Sequence, residues 1–362
     1  MRANTRILFI SRAYPPVVGG MENQNYGLAR HLSKIADVRI VANRHGKKIL
    51  PFFLPYVSIR SLFLIRQFDV LLLGDGVLAI VGYLVKLFYG RTKKVVCVLH
   101  GLDITYSFWF YRWLWVGKFI PSLDKLTAVG NETIKQGTKR GIPEEKFVFI
   151  PNGVDPDKHI GNYSRSGLER VAGEKLEDKK ILLTAGRLAK RKGVAWFVRN
   201  VMPRLDENII YVVLGDGPDR KNIAKAVEEK KLDGRVKLLG YQPDETRDVC
   251  FNTADIFIQP NIRVPGDMEG FGISVLEATT CKLPVVVANT EGLKDAIKDG
   301  ENGFLVESGN ADAWLKTINE LLADDDFRKK FGEKARRYTI ENYSWEKIAK
   351  KYLEEIQEVA QR

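Results

Sequence analysis

Two glutamates, Glu269 and Glu277, flank a Gly-Phe-Gly turn in the stretch DMEGFGISVLEA, residues 267–278. Gly270 and Gly272 permit a tight turn and a helix follows, so the N–H groups of Phe271, Gly272 and Ile273 fall at a helix start, without intrahelical partners. Such donors suit a phosphate. The carboxylates do not, because like charges repel; their acceptor oxygens suit hydroxyl groups, as an acidic residue takes a ribose in dinucleotide folds. A ligand with hydroxyls at both ends of a diphosphate satisfies every part, and a sugar nucleotide is such a ligand. Glu277, in the helix, would take the ribose, and Glu269, before the turn, the transferred sugar.

Other candidates follow apolar runs. TAGRLAKRKG (184–193) places Arg187 and Lys192 on one loop before a helix, where a guanidinium and an ammonium can grip a diphosphate. In YPPVVGGMEN (14–23), Gly19 and Gly20 lead into a helix and either bring backbone up to a phosphate or sugar or make a plain strand-to-helix turn. VLHGLD (98–103) ends a strand with His100 and Asp103. That histidine is either a polar catalytic contact or a satisfied structural group, and the other three histidines have no comparable setting. LGDGP (214–218) and LGY (239–241) read as further crevice-lining turns.

These motifs need strands behind them. Short Val/Ile/Leu runs without apolar–polar alternation recur along the chain: RILFIS, DVRIVA, DVLLLG, KVVCVLH, KLTAVG and KFVFIP, then KILLTAG, IIYVVLGDG, RVKLLGY, DIFIQP, LPVVVAN and GFLV. Such runs suit strands buried on both faces of a parallel sheet, and helical segments between them give an α/β chain of two doubly wound, Rossmann-like domains. A length of 362 residues fits two cores. The polar stretch 155–180 reads as the linker, which sets the domains at 1–165 and 166–343. Trp345, Ile348, Tyr352, Ile356 and Val359 form a helical stripe in 344–362 that must pack on something. The run 70–90, broken by Asp75 and Lys86, reads as strand–turn–helix rather than a membrane span, and the acidic run 323–327 as a helix start. Three scattered cysteines in apolar segments read as reduced core thiols of a cytosolic protein, and no signal peptide is expected from the short apolar run ILFI.

The net charge of +12 is uneven: residues 1–165 hold 24 Lys+Arg against 11 Asp+Glu, or +13, which leaves 33 against 34, or −1, for the rest. Such asymmetry marks an anionic partner. Segments 47–68 and 106–121 mix aromatics with Lys and Arg, as interfacial segments do, which favours an anionic membrane surface. A nucleic-acid-binding protein would explain the charge but none of the second-half motifs, so no nucleic acid is expected. A glycosidase using Glu269 and Glu277 fits poorly with a phosphate-type turn between them. A dehydrogenase lacks its G-x-G-x-x-G.

Taken in order, YPPVVGGME, HGLD, IPNGVD (150–155), AGRLAKRKG and EGFGISVLEA resemble the retaining glycosyltransferases of family 4, which have the GT-B fold. The likeness runs from about residue 6 to about 345, and QPNIRVPGDMEGFGISVLEA is most similar to the lipid-mannosylating members. The resemblance implies a hexosyltransferase using a nucleotide-sugar, GDP-mannose or a UDP-sugar, as co-substrate, without cofactor. Arg187 and Lys192 would neutralise the diphosphate in place of a metal. Glu269 would hold sugar hydroxyls and Glu277 the ribose. The backbone of Phe271, Gly272, Ile273 and Ser274 would bind sugar and phosphate, and Gly20 would approach the phosphate. His100 would touch the sugar near the reacting carbon, and Tyr241 would lie near the base. Glu22 and Asp103 are the acceptor or accessory candidates. The last helix would cross back onto the first domain. Gly130 departs from the family's usual serine and is not counted as a site. The expected acceptor is a lipid-linked or membrane-surface glycan, with the enzyme peripheral on the inner face of the cytoplasmic membrane; a soluble oligosaccharide or small molecule is the alternative.

Overall fold

In the computed structural model, which describes residues 5–17, 19–176 and 178–361, each of those apolar runs forms a strand. β1 (Arg6–Ser11), β2 (Asp37–Ala42), β3 (Val70–Leu73), β4 (Lys94–Leu99), β5 (Lys125–Ala128) and β6 (Phe147–Phe149) build one sheet, in the order β2-β1-β3-β4-β5-β6. β7 (Lys180–Ala185), β8 (Ile209–Leu214), β9 (Val236–Gly240), β10 (Ile256–Gln259), β11 (Val285–Ala288) and β12 (Phe304–Val306) build the second, ordered β12-β11-β10-β7-β8-β9. All pairings within the sheets are parallel. The central strands β3, β8, β10 and β11 are buried along their whole length, whereas edge strand β2 is largely open. Unbroken apolar runs are what two-sided burial requires.

Strand order reverses beside β1 and β3 in the first sheet, and beside β7 and β10 in the second. Loops leaving those strands at their carboxyl ends splay apart and leave a crevice, the usual ligand site of an open parallel sheet. The motifs after β1, β4, β7, β9 and β10 all leave carboxyl ends.

The chain divides into two compact units, Met1–Val154 with Tyr343–Arg362, and Asp155–Asn342. The polar stretch expected as a linker belongs with the second unit, so the division falls at 154/155 rather than 165/166. Polar contacts hold it there: Arg165 pairs with Asp255, and Asn252 donates to the His159 carbonyl at 2.7 Å. Composition misses this because an apolar stripe is not what attaches the segment. The run 70–90 forms β3 and the helix Ala79–Tyr89, and the acidic run opens the helix Asp325–Tyr343 with Asp324 accepting from the Phe327 N–H at 2.8 Å. Cys97, Cys250 and Cys281 are buried and unpaired.

The closing helix, Trp345–Gln361, buries Trp345, Ile348, Tyr352, Ile356 and Val359 and packs on the helix Gly20–Leu32 within the first unit. Its indole stacks on His31, ring centroids 5.9 Å apart, and lies over Gly27 so closely that a Cβ there would come within 2.2 Å. Gly27→Ala improves helix propensity by roughly 0.5–1 kcal/mol but overpacks this contact by about 1–3 kcal/mol. Net destabilisation in equilibrium urea unfolding is therefore expected; a variant as stable as the parent would mean that the indole is not held there.

Candidate active site

The loops after β7 and β10 are locked together before any ligand arrives. Gly193 (φ +67) closes the turn Lys190–Lys192, and a Cβ at this position would lie 1.8 Å from the Pro260 carbonyl oxygen. Only glycine permits that approach. The Ile262 N–H donates to the Arg191 carbonyl at 2.8 Å and completes the seam.

This seam sets two cations on one buried carboxylate. Lys192 Nζ lies 2.7 Å from Glu269 Oε2, Arg191 Nε 3.6 Å from it, and Asn261 Nδ2 donates to it at 3.2 Å. Arg191 also reaches Asp267 at 3.0 Å. The Glu269 N–H donates to the Glu291 carboxylate at 2.6 Å. Burial alone would raise the Glu269 carboxyl, but Lys192 and Arg191, with hydrogen bonds from Lys192 and Asn261, hold it down to about 2. The Lys192 ammonium is thus committed to Glu269, whereas Arg187 is exposed and makes no ion pair among the described residues.

Behind this group, Gly272 (φ 91) caps the helix Ile273–Thr280. The first-turn N–H groups, those of Ile273 and Ser274 among them, have no intrahelical partner, which makes the helix start an anion seat. Ser274 Oγ donates to Gln259 Oε1 at 3.3 Å, and the Phe271 side chain is buried. Gln259 Nε2 and Asn261 Oδ1, at the end of β10, are buried without a hydrogen-bond partner. Buried amide atoms of this kind mark a place where a ligand or water completes the bonding.

On the same helix, Glu277 Oε1 lies 3.5 Å from His159 Nε2, and His159 Nδ1 lies 2.7 Å from Asp248 Oδ1. Burial would raise the Glu277 carboxyl, yet His159, Arg247 and Lys158 together lower it to about 2. His159 is therefore a histidine set between two carboxylates, a setting that a reading of strand-end histidines passes over. Its partner Asp248 is 89 positions away, beyond the reach of local spacing. Arg191 had a local signal, the run Lys190-Arg191-Lys192, but nothing in that run distinguishes it from its neighbours. Tyr241, after β9, is 70% exposed and free to meet a flat ring.

In the first unit, the His100 N–H donates to Asp103 Oδ2 at 2.8 Å and His100 Nε2 lies 3.0 Å from the Gly74 carbonyl oxygen. The histidine is thus structurally satisfied while still partly open to solvent. Next to it, at the β1/β3 reversal, Arg12 Nε holds the fully buried Asp75 at 2.7 Å. Burial pushes the Asp75 carboxyl up, Arg12 opposes this, and Asp103 adds to it. The sequence reading did not assign Arg12 or Asp75 a role. Glu22 folds back over Gly19, where a Cβ would come 2.2 Å from its carboxylate. An anion approaching Gly20 would have to displace it. Val18, in the same motif, lies outside the described residues. Gly130 caps the helix Asn131–Thr138 without any side-chain hydrogen bond.

Residues 167–338 match the family model of glycosyl transferases group 1, and residues 18–158 that of glycosyltransferase family 4. This chain is a family 4 glycosyltransferase. An uncharacterized glycosyltransferase of Methanocaldococcus jannaschii is 31% identical over 213 residues, which span 58% of this chain and 53% of that protein. A GDP-mannose-dependent phosphatidylinositol monomannoside mannosyltransferase of Mycolicibacterium smegmatis is 24% identical over 367 residues, 94% of this chain and 95% of the relative. Among solved structures, Anabaena HepE in complex with UDP and glucose aligns with a TM-score of 0.76 at 18% identity, covering 98% of this chain and all of that one. The structural likeness shows the GT-B fold of this glycosyltransferase.

Removing one partner of a buried ion pair strands the other, so Glu269→Gln is expected to cost roughly 3–5 kcal/mol at pH 7. A depressed carboxyl contributes stability that is present above its unfolded value and lost as pH falls through its folded value of about 2. The gap between parent and variant in urea unfolding should therefore shrink from pH 5 towards pH 2. An equal gap at both ends would show that the carboxylate is not ionically held.

Proposed function

We propose that this glycosyltransferase moves a hexose from a nucleotide-sugar, GDP-mannose or a UDP-sugar, to a glycan acceptor that is lipid-linked or lies at a membrane surface, with retention at the anomeric carbon and without a metal. The observation that carries the donor reading is the group at the β7/β10 reversal: an uncommitted Arg187, a helix start at Ile273, and the two ionised carboxylates Glu269 and Glu277. Breaking the bond from the anomeric carbon to phosphate builds negative charge on the departing diphosphate. Arg187 and the N–H groups of Gly272, Ile273 and Ser274 are fixed donors for that charge, and Lys192 adds its field from beside Glu269. Both cations make their closest approach to Glu269 at Oε2, and in this reading Oε1 takes a sugar hydroxyl. Glu277 takes the ribose and Tyr241 stacks on the base. The relative from Mycolicibacterium is GDP-mannose-dependent and the Anabaena structure holds UDP, and both support a nucleotide-bearing donor. Retention follows if the acceptor attacks the face that the phosphate leaves, with the phosphate taking the acceptor's proton. His100 and Asp103 lie on the first unit with Gly20 and Glu22; in this reading His100 belongs with the transferred sugar, Gly20 with the phosphate, and Glu22 and Asp103 are the acceptor or accessory groups.

Support for the membrane comes from apolar surface on the first unit. The helix Leu50–Leu64 seats Phe53 and Val57 in the core and turns Phe52 and Phe63 outward, 76% and 63% exposed. It packs on Ala79–Tyr89, which packs on Arg112–Phe119; Trp113 in that segment and Trp109 in the turn just before it are 64% and 70% exposed. Lys47–Gln67 is long and apolar enough by composition to cross a membrane, but its inward stripe is occupied by the core. Apolar rings beside Lys and Arg suit the interface of an anionic leaflet, each basic group adding about 1 kcal/mol. This reading places the enzyme peripherally on the inner face of the cytoplasmic membrane.

Arg187→Ala should lower turnover by about two to three decades with the melting midpoint preserved; near-normal turnover with UDP- or GDP-sugars would reject the clamp. Flotation with anionic liposomes should carry the parent and fail for Phe52→Ser/Phe63→Ser. Salt-sensitive binding to duplex DNA without flotation would sink the membrane reading in favour of a nucleic-acid partner.

A further inference from the structure

His159 has no role in the reaction as described, yet it is only 2% exposed and sits among charges. Its ring lies between the helices Asp244–Thr253 and Ile273–Thr280. From the first helix, Asp248 Oδ1 meets Nδ1 at 2.7 Å and Arg247 Nη2 lies 3.4 Å from Nε2. From the second, Glu277 Oε1 lies 3.5 Å from the same Nε2. The Phe251 ring packs edge-on at 5.8 Å, and Asn252 holds the His159 carbonyl. Lys158, its chain neighbour, adds a further positive charge that Glu277 feels. Beyond Asn252, Cys281 lies near Arg336, Asp248 and Glu277.

A carboxylate at 2.7 Å fixes a proton on Nδ1, so the state of Nε2 is what varies. A neutral ring accepts from Arg247 at Nε2 and turns a lone pair towards Glu277. An imidazolium donates from Nε2 to Glu277 and repels Arg247. The distances, 3.4 and 3.5 Å, leave Nε2 almost equally placed between a donor and an acceptor. Protonation alone selects between them.

We propose that His159 is a positioning residue for the donor: as imidazolium it holds Glu277 Oε1 and leaves the second oxygen aimed at the ribose hydroxyls, and as neutral imidazole it lets that carboxylate go and pairs with Arg247. The proposal rests on Glu277 taking the ribose. Losing one charge-assisted hydrogen bond on the carboxylate weakens donor binding by about tenfold. The donor KM should therefore rise about tenfold between about pH 5.5 and 8.5, with the break confined to KM and absent from kcat.

The test is steady-state kinetics of the full chain with its nucleotide-sugar from pH 5.5 to 8.5, for the parent and His159→Gln. The glutamine variant should lose the break in KM. Arg247→Ala, which removes the competitor for Nε2 and a nearby positive charge, should move the break to higher pH, and it serves if His159→Gln does not fold. A parent KM that is flat across the range with normal turnover overturns the role of His159 and leaves the donor reading standing. A break that persists unchanged in both variants overturns it as well. A chain that binds neither UDP nor GDP at any pH overturns both readings together.

Discussion

The contact between Lys192 and Glu269 is the interaction on which the second unit's site depends. It joins the loop after β7 to the loop after β10, across the place where strand order reverses. Burying the two charges costs several kcal/mol each, and a bare pair often fails to recover that cost. Here Arg191 adds a second cation and Asn261 a hydrogen bond. The result is a carboxylate that stays ionised where burial alone would neutralise it. An ionised carboxylate is a strong acceptor for hydroxyl groups, and the glycine contact at Pro260 keeps it from drifting.

The two units use one plan for different chemistry. Each places its polar groups beyond the carboxyl ends of the strands at a reversal, with parallel sheets supplying rigid backbone behind them. In the second unit the carboxylates are held low by surrounding cations and the loops carry an uncommitted arginine. In the first unit one arginine, Arg12, serves Asp75 with Asp103 close by, and burial raises the Asp75 carboxyl. The apolar rings on the first unit then stand on the half of the chain that carries the positive excess.

How much of this could be read beforehand depended on whether the signal was local. Strands buried on both faces show themselves as unbroken apolar runs, so β1 to β12 were legible, as was the stripe from Trp345 to Val359. Glu269, Glu277 and the turn between them were legible because one helix start sets their spacing. The partners of these groups were not. His159 meets Asp248 and Glu277, and Asp75 meets Arg12, through tertiary folding, and a buried polar contact leaves no periodicity behind it. The boundary at 154/155 was obscured for the same reason, since Arg165 and His159 attach their segment by hydrogen bonds rather than by an apolar face. Lys192 was found, but its commitment to Glu269 was a fact of distance.

The closing helix has a consequence for biogenesis. The Val154 N–H donates to the Tyr343 carbonyl and the Trp345 N–H to that of Val154, so the chain leaves the first unit and re-enters it at one spot. On a ribosome, the segment that covers the face of Gly20–Leu32 is made only after the whole of 155–342. At roughly 5–20 residues per second that interval is on the order of ten to forty seconds. Throughout it the nascent first half carries its aromatic helices and an uncovered apolar seam together, a state for which a chaperone or an early encounter with lipid would be the natural shelter.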